Sequence, residues 1–278
     1  VGLGAAVSTL RKHGIDPGHP KQLLFNERLV VTASLEQVNA LAASLQVRAI
    51  GTVPPPAKDM NVQSAQISNV DIVQAPPYSL DGDGVLFGMW ESGNPRGTHE
   101  ALTGRITAVE GSVTDHGTHV GGTILGDGTG DATALGMSPS GDQIFSFTSG
   151  GDTATEQANS VTNNAIVISN HSWGNTAGWE FDGTNWNDTG NDGLFGQYDG
   201  TASAWDAMVR ATGLIVNKAA GNDGNDCDPS DSTDCDGFAG GDGLNYDTIT
   251  THGNAKNIIT VGALNDDGTT TANFSSNG

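Results

Sequence analysis

A histidine flanked by glycine and small residues is the strongest chemical signal in the chain. Residues 115–124 read Asp-His-Gly-Thr-His-Val-Gly-Gly-Thr-Ile, an apolar, small-residue helix that opens on His116. At a helix start, one edge of the imidazole faces a cleft and can take up and return a proton. Gly121 and Gly122 let such a helix approach its neighbours closely. A core histidine, or a metal pair made by His116 and His119, are the competing readings. A His-x-x-His pair alone is a weak metal signal, and the glutamate of the zinc-protease pattern is missing between the two.

A second candidate is Asn222, in the segment Lys218-Ala219-Ala220-Gly221-Asn222-Asp223-Gly224 that ends an apolar run. Its side-chain amide could donate to a developing oxyanion. Alone, the residue reads as a turn asparagine; beside the histidine motif, the functional reading gains weight.

Elements that would position these residues follow from apolar runs and periodicity. Residues 85–90, 143–147, 165–169, 214–219 and 258–263 are apolar almost throughout and predict buried strands, with helices at 154–163 and 202–211 between them. That alternation predicts an α/β domain with a mostly parallel sheet covered by helices on both faces. The glycine-, Asn- and Asp-rich stretches 174–200 and 221–247 are long loops, of the kind that hold function or ions. Residues 1–60 differ in character and predict a small β-α-β extension. Its strands fall at 29–31 and 47–53, and its helix at 34–45 with Ser34 as N-cap and Leu35, Val38, Leu41, Ala42 and Leu45 on one face. A connector at 61–83 then leads into a main domain at 84–278.

With 32 acidic against 11 basic residues and a net charge of −21, the chain is unsuited to nucleic acid or an anionic membrane surface. No run reaches the roughly 18 apolar residues of a membrane span. Val1 reads as a processing site or an expression boundary. The acidity reads as solubility, as a set of carboxylate sites for calcium, or both. Cys227 and Cys235, with seven residues between them in an acidic loop, would close a ring worth about 2–3 kcal/mol if oxidised. Two free thiols are the alternative; a disulfide would place the protein outside the cytoplasm.

These blocks resemble the subtilisin-like serine proteases. His116-Gly117-Thr118-His119-Val120-Gly121-Gly122-Thr123 is similar to the subtilase histidine signature, and Ala219-Ala220-Gly221-Asn222 to the segment bearing the oxyanion asparagine. Gly136-Met137-Ser138-Pro139 resembles the turn before a core strand, and Asn170-His171-Ser172-Trp173-Gly174 the segment lining the substrate cleft. Residues 257–263 and 273–278 resemble the two segments that precede the serine motif. The resemblance implies a three-layer subtilisin-like sandwich and a secreted endopeptidase acting on protein or peptide substrates, with calcium as a structural ion. It makes His116 the general base and Asn222 the oxyanion donor, and has Ser172, Trp173 and Gly174 pair with substrate. Trp173 would wall a subsite, or serve as a core aromatic.

Two departures stand out. The family's orienting aspartate falls where this chain has Glu91, with Asp115 as a rival carboxylate. Some Ser-His hydrolases do use glutamate there. The Gly-Thr-Ser block of the nucleophile is absent, and Ser275 and Ser276 are not substitutes. The expectation is a serine lying outside these residues, in a longer chain or on a second chain; the alternative is an inactive, peptide-holding relative. Calcium ligands would come from Asp81 and Asp83, from Asp127 and Asp131, or from the run 223–236. The N-terminal extension resembles part of a subtilase propeptide, with a simple decoration as the other reading.

Overall fold

The computed structural model describes residues 3–16, 31–44, 47, 50, 60–151, 153–175, 177–181, 186–190, 194–224 and 248–277. The chain forms two compact units, Val1–Lys58 and Asp59–Gly278. In the first, helices α1 (Leu3–Lys12) and α2 (Leu35–Ala42) bury Leu10, Ile15 and Leu41 against Val31, Ala33 and Val47. α2 starts where its N-cap predicts. The Ser34 side chain accepts the Gln37 amide and the Gln37 side chain returns the bond to Ser34, a capping box. The two strands expected here fall mainly outside the described residues, and Val31, Val47 and Ile50, which are described, are not in strands. Helix α1 was not anticipated.

The second unit opens with α3 (Met60–Ile67) and α4 (Val70–Gln74), where only a connector was expected. It then builds a sheet from β1 (Leu86–Glu91), β2 (Ile106–Ala108), β3 (Gln143–Thr148), β4 (Ile168–His171), β7 (Ile215–Ala219) and β8 (Ile259–Val261). The order is β2-β3-β1-β4-β7-β8, and every pairing is parallel. A separate antiparallel pair, β5 (Trp179–Phe181) and β6 (Trp186–Asp188), lies within the stretch expected to be loop. Helices α5 (Asp115–Leu125), α6 (Thr153–Asn164) and α7 (Gly200–Thr212) link the strands. α7 is delimited by the Asp199 N-cap and by Gly213 at φ 71°.

Because side chains alternate along a strand, each face of β1 has its own partners. Phe87 and Met89 join Leu102, Leu125 and Ile144 under Val120 and Ile124 of α5. Trp90 faces the other way, stacking on Phe147 at 4.4 Å and packing with Trp205 and Met208 of α7. Gly88 makes room for this: a Cβ there would lie 2.5 Å from the Trp90 ring and 2.6 Å from Ile166. By the same alternation the next residue, Glu91, points to the α5 face at the carboxyl edge of the sheet.

Candidate active site

Glu91 ends β1 fully buried, at 0% exposure, and reaches the first turn of α5. Its Oε2 lies 3.0 Å from Nε2 of His116, and its Oε1 accepts the Ser172 amide at 2.6 Å and the Asn170 side-chain amide at 3.1 Å. Burial pushes the Glu91 carboxyl up, while the Ser172 amide and His116 pull it back down. The His116 side chain keeps 46% exposure. Its Nε2 also lies 3.2 Å from the Ser172 carbonyl oxygen. Asp115 is fully exposed, 4.0 Å from Arg96, and His119 is exposed one turn along the helix.

The histidine is placed by the chain on either side of it. Thr114 caps α5 by accepting the Gly117 amide at 3.0 Å. Buried Asn94, just beyond β1, exchanges backbone hydrogen bonds with Ser112 and Thr114, so the end of β1 and the start of α5 are tied together. A Cβ on Gly117 would collide with the Gly93 carbonyl, and one on Gly121 would lie 2.8 Å from Pro95. The close approach therefore uses Gly117 and Gly121, four residues apart on one helix face; Gly122, expected to share that role, faces open space.

Asn222 is exposed in the loop after β7, two strands from β1 and at the same carboxyl edge. Adjacent strands lie about 4.8 Å apart, so β1 and β7 are separated by about 10 Å. The carboxyl edge of an open parallel sheet is where crevices for ligands form. The Asn222 loop is seated on the 274–276 segment. Gly224 N–H donates to the Phe274 carbonyl, Ser276 N–H to the Gly221 carbonyl, and Asp223 N–H to Ser276 Oγ at 3.0 Å. Ser275 and Ser276 are buried in these contacts, as structural residues.

Of the three residues expected to line a substrate cleft, Ser172 spends its amide on Glu91 and its hydroxyl on Asn170. Trp173 packs among His171, Trp205 and His252, the core-aromatic reading of this residue. Gly174 is exposed with open space around it. Two participants were not read from the sequence. Asn170 binds Glu91 directly, and Lys218, at 2% exposure, donates to the carbonyls of Trp173 and Ala219. A lysine inside a short strand run, beside Asn217 and among Ile215, Val216 and Ala219, was the available signal for the second. Burial lowers Lys218 to about 8, against an opposing pull from Glu91 and Asp223.

Carboxylates of two acidic loops bond within or beside their own turns. Asp81 accepts from Ser140 and from the Asp83 amide. Asp127 accepts the Thr129 amide and pairs with Arg105, and Asp131 caps a short turn through Thr133. Among the described residues, no three or more of His, Cys, Asp and Glu lie together as a metal would need. The rest of the candidate run, 225–236, with Cys227 and Cys235, lies outside the described residues.

Three solved structures resemble the chain. The prenylagaramide maturation protease PagA is 18% identical (TM-score 0.49), with 76% of this chain and 62% of that one covered. A lanthipeptide protease is 14% identical (TM-score 0.48; 79% and 60% covered), and the patellamide maturation protease PatG is 11% identical (TM-score 0.46; 79% and 67%). The chain thus spans less than two thirds of the length of the first two. No curated protein matches it. The subtilase family of peptidases (S8) matches over residues 99–278, from the turn after β1 through the histidine helix to the 274–277 segment. The chain belongs to the subtilase family.

Proposed function

We propose that this chain supplies the general base and the oxyanion donor of a secreted serine endopeptidase. The observation that carries the reading is the Glu91–His116 pair at the carboxyl edge of a parallel sheet, with the Asn222 loop two strands away. His116 takes the proton of an attacking serine and returns it to the leaving amine, while Glu91 holds the ring and stabilises its positive charge. The Asn222 amide donates to the oxyanion, an interaction worth about 3–4 kcal/mol. Ser172 and Gly174 border the path of an extended peptide.

The nucleophile is a serine outside residues 1–278, on a helix that completes the sheet. The cross-strand register places Ile168, Ile215, Asn217, Ala219, Ile259 and Val261 on the same face as Phe87. α5 covers the β1–β3 half of that face, yet Ile215, Ile259 and Val261 keep 51%, 53% and 51% exposure. Three neighbouring β-branched side chains at that exposure form an apolar strip that asks for a covering element. A helix packed there, running as α5 does, would start at the carboxyl edge beside His116.

The test uses the protein as encoded, extended through any segment after residue 278, and a fluorophosphonate probe. One serine beyond residue 278 should be labelled, and His116→Ala should abolish both labelling and peptide hydrolysis. A protein that binds peptides but neither cleaves them nor takes up the probe would establish the non-catalytic reading instead.

A further inference from the structure

The sheet parts between β4 and β7 at its carboxyl edge. As far as His171 and Lys218 the two strands pair in parallel, from Ile168 opposite Ile215 to His171 opposite Lys218. Beyond that point each chain follows its other neighbour. The Ser172 amide turns to Glu91 of β1, whereas Ala219 stays opposite Val261 of β8 and the Ala220 amide donates to the Val261 carbonyl. Carbonyls at such a split lose their ladder partners, and a buried one needs another donor. Lys218 supplies it. Its side chain, at 2% exposure, donates to the Trp173 carbonyl on one bank and to the Ala219 carbonyl on the other, the second at 3.1 Å. Its charge also lies 4.8 Å from the centre of the Trp173 ring. An ammonium carries three donors on one atom and so serves both banks at once.

We infer that Lys218 is a positioning residue, which holds the Asn222 loop in place relative to the Glu91–His116 pair. The inference rests on the peptidase reading above. Ser172, next to Trp173, gives its amide to Glu91, and its carbonyl oxygen lies 3.2 Å from His116 Nε2. Asn222 follows Ala219 by three residues. Lys218 therefore stands between a segment fixed to the base and a segment that carries the oxyanion donor. The far side of the Asn222 loop is seated on residues 274–276 through Asp223 and Gly224. Lys218 holds the near side.

Placement decides what an oxyanion donor contributes, because it acts within about 2.7–3.1 Å of the developing charge. A displacement near 1 Å costs about 100-fold in rate. An apolar side chain at position 218 would fill the space but leave both carbonyls without this donor, and the two banks free to shift. Lys218 thus acts on catalysis through Asn222, not through contact with substrate.

A double-mutant cycle on peptide hydrolysis tests this, with the protein as encoded and extended through any segment after residue 278. Asn222→Ala should lower kcat by about 100- to 1000-fold in the wild-type background. In Lys218→Met the same change should cost at least about tenfold less, because the amide is already out of place. A variant that merely loosens the fold lowers the amount of working protein and leaves the Asn222 factor unchanged, so equal factors in the two backgrounds overturn the inference. Lys218→Gln, with an amide donor one bond shorter, should recover part of the factor, and it replaces methionine where that variant does not fold. Amide hydrogen exchange gives a readout without turnover. Residues 172–174 and 219–222 should exchange faster together in Lys218→Met, with α5 unchanged. A wild type that cleaves no peptide, with exchange rising as expected, defeats the peptidase reading alone. A working peptidase with unchanged exchange defeats only this inference.

Discussion

Lys218→Met tests whether a buried ammonium braces the two loops that flank the cleft. Lys218 sits at 2% exposure, with its donors on the carbonyls of Trp173 and Ala219 and its charge 4.8 Å from the centre of the Trp173 ring. Burial brings it from 10.5 down to about 8. That gap corresponds to about 3 kcal/mol of stability withheld while the side chain is charged. The sign follows from proton binding. Between about pH 8 and 10.5 the unfolded chain holds the proton and the folded chain does not, so stability rises with pH across that window. Below pH 8 both states are protonated and the cost is present in full. Methionine fills a similar volume without a charge, but leaves the Trp173 carbonyl without its donor, a loss of about 1–3 kcal/mol. At pH 7 the two effects nearly offset. The pH dependence separates them: urea unfolding at pH 7 and pH 11 should show wild type gaining about 3 kcal/mol relative to Lys218→Met. A difference between the two proteins that stays flat from pH 7 to 11 would show that Lys218 is not held as a destabilised ammonium.

The glycines of α5 make opposite predictions. Gly117→Ala drives a methyl into the Gly93 carbonyl and should destabilise by about 1–3 kcal/mol with loss of activity, whereas Gly122→Ala, in open space within a helix, should stabilise by about 0.5–1 kcal/mol; thermal melts of both decide. His252 is lowered from 6.5 to about 4, first by burial and then by the Lys218 charge, and burial holds His171 well below its ordinary value as well. The unfolded chain therefore takes up protons near pH 6.5 that the folded chain refuses. Stability should fall by about 3 kcal/mol on account of His252 as pH drops through that window, with His171 acting in the same direction, and urea midpoints unchanged between pH 7 and 4.5 would refute it. Calcium sensitivity, where present, should trace to residues 225–236 rather than to Asp81 or Asp127. Melts with excess calcium and with chelator should separate in wild type, remain separated in Asp81→Asn, and coincide if solubility alone explains the acidity. Thiol titration of the unreduced, unfolded protein should find neither Cys227 nor Cys235 free; two reactive thiols would count against a secreted enzyme.

What the sequence reveals of this fold depends on how far each element's neighbours are local. β1 and β3 were found to within a residue because they are apolar runs buried on both faces. The fourth strand was expected at 165–169 and stands at Ile168–His171. Ala165 takes φ 54° and Ile166 is buried ahead of the strand, so the apolar signal began before the sheet did. β2 is three residues long on an edge, and α3 and α4 are largely exposed; none presents an apolar period to read. The acidic loops are ambiguous in sequence for a related reason. Asp, Gly and Ser are the currency of both ion sites and self-closed turns, and only the positions of Ser140, Thr129 and Thr133 show that these carboxylates are already engaged.

The site divides in the same way. Glu91 and His116 could be paired from the sequence through the family resemblance, which sets a carboxylate at the end of the first buried strand, with Asp115 as the rival; the structure brings Glu91 to the ring and leaves Asp115 exposed. What else meets the pair could not be read, since it comes from Ser172, just past the end of β4 and 81 residues downstream of Glu91, whose amide reaches Glu91 and whose carbonyl reaches His116. That same backbone meets the second oxygen of Glu91. A longer carboxylate in a dry pocket needs its second oxygen satisfied, and Asn170 and the Ser172 amide supply the donors. The substitution at Glu91 is therefore matched by its surroundings. Glu91→Asp should leave those donors short of an acceptor and draw the carboxylate away from Nε2, lowering both stability and the rate of any reaction that His116 serves.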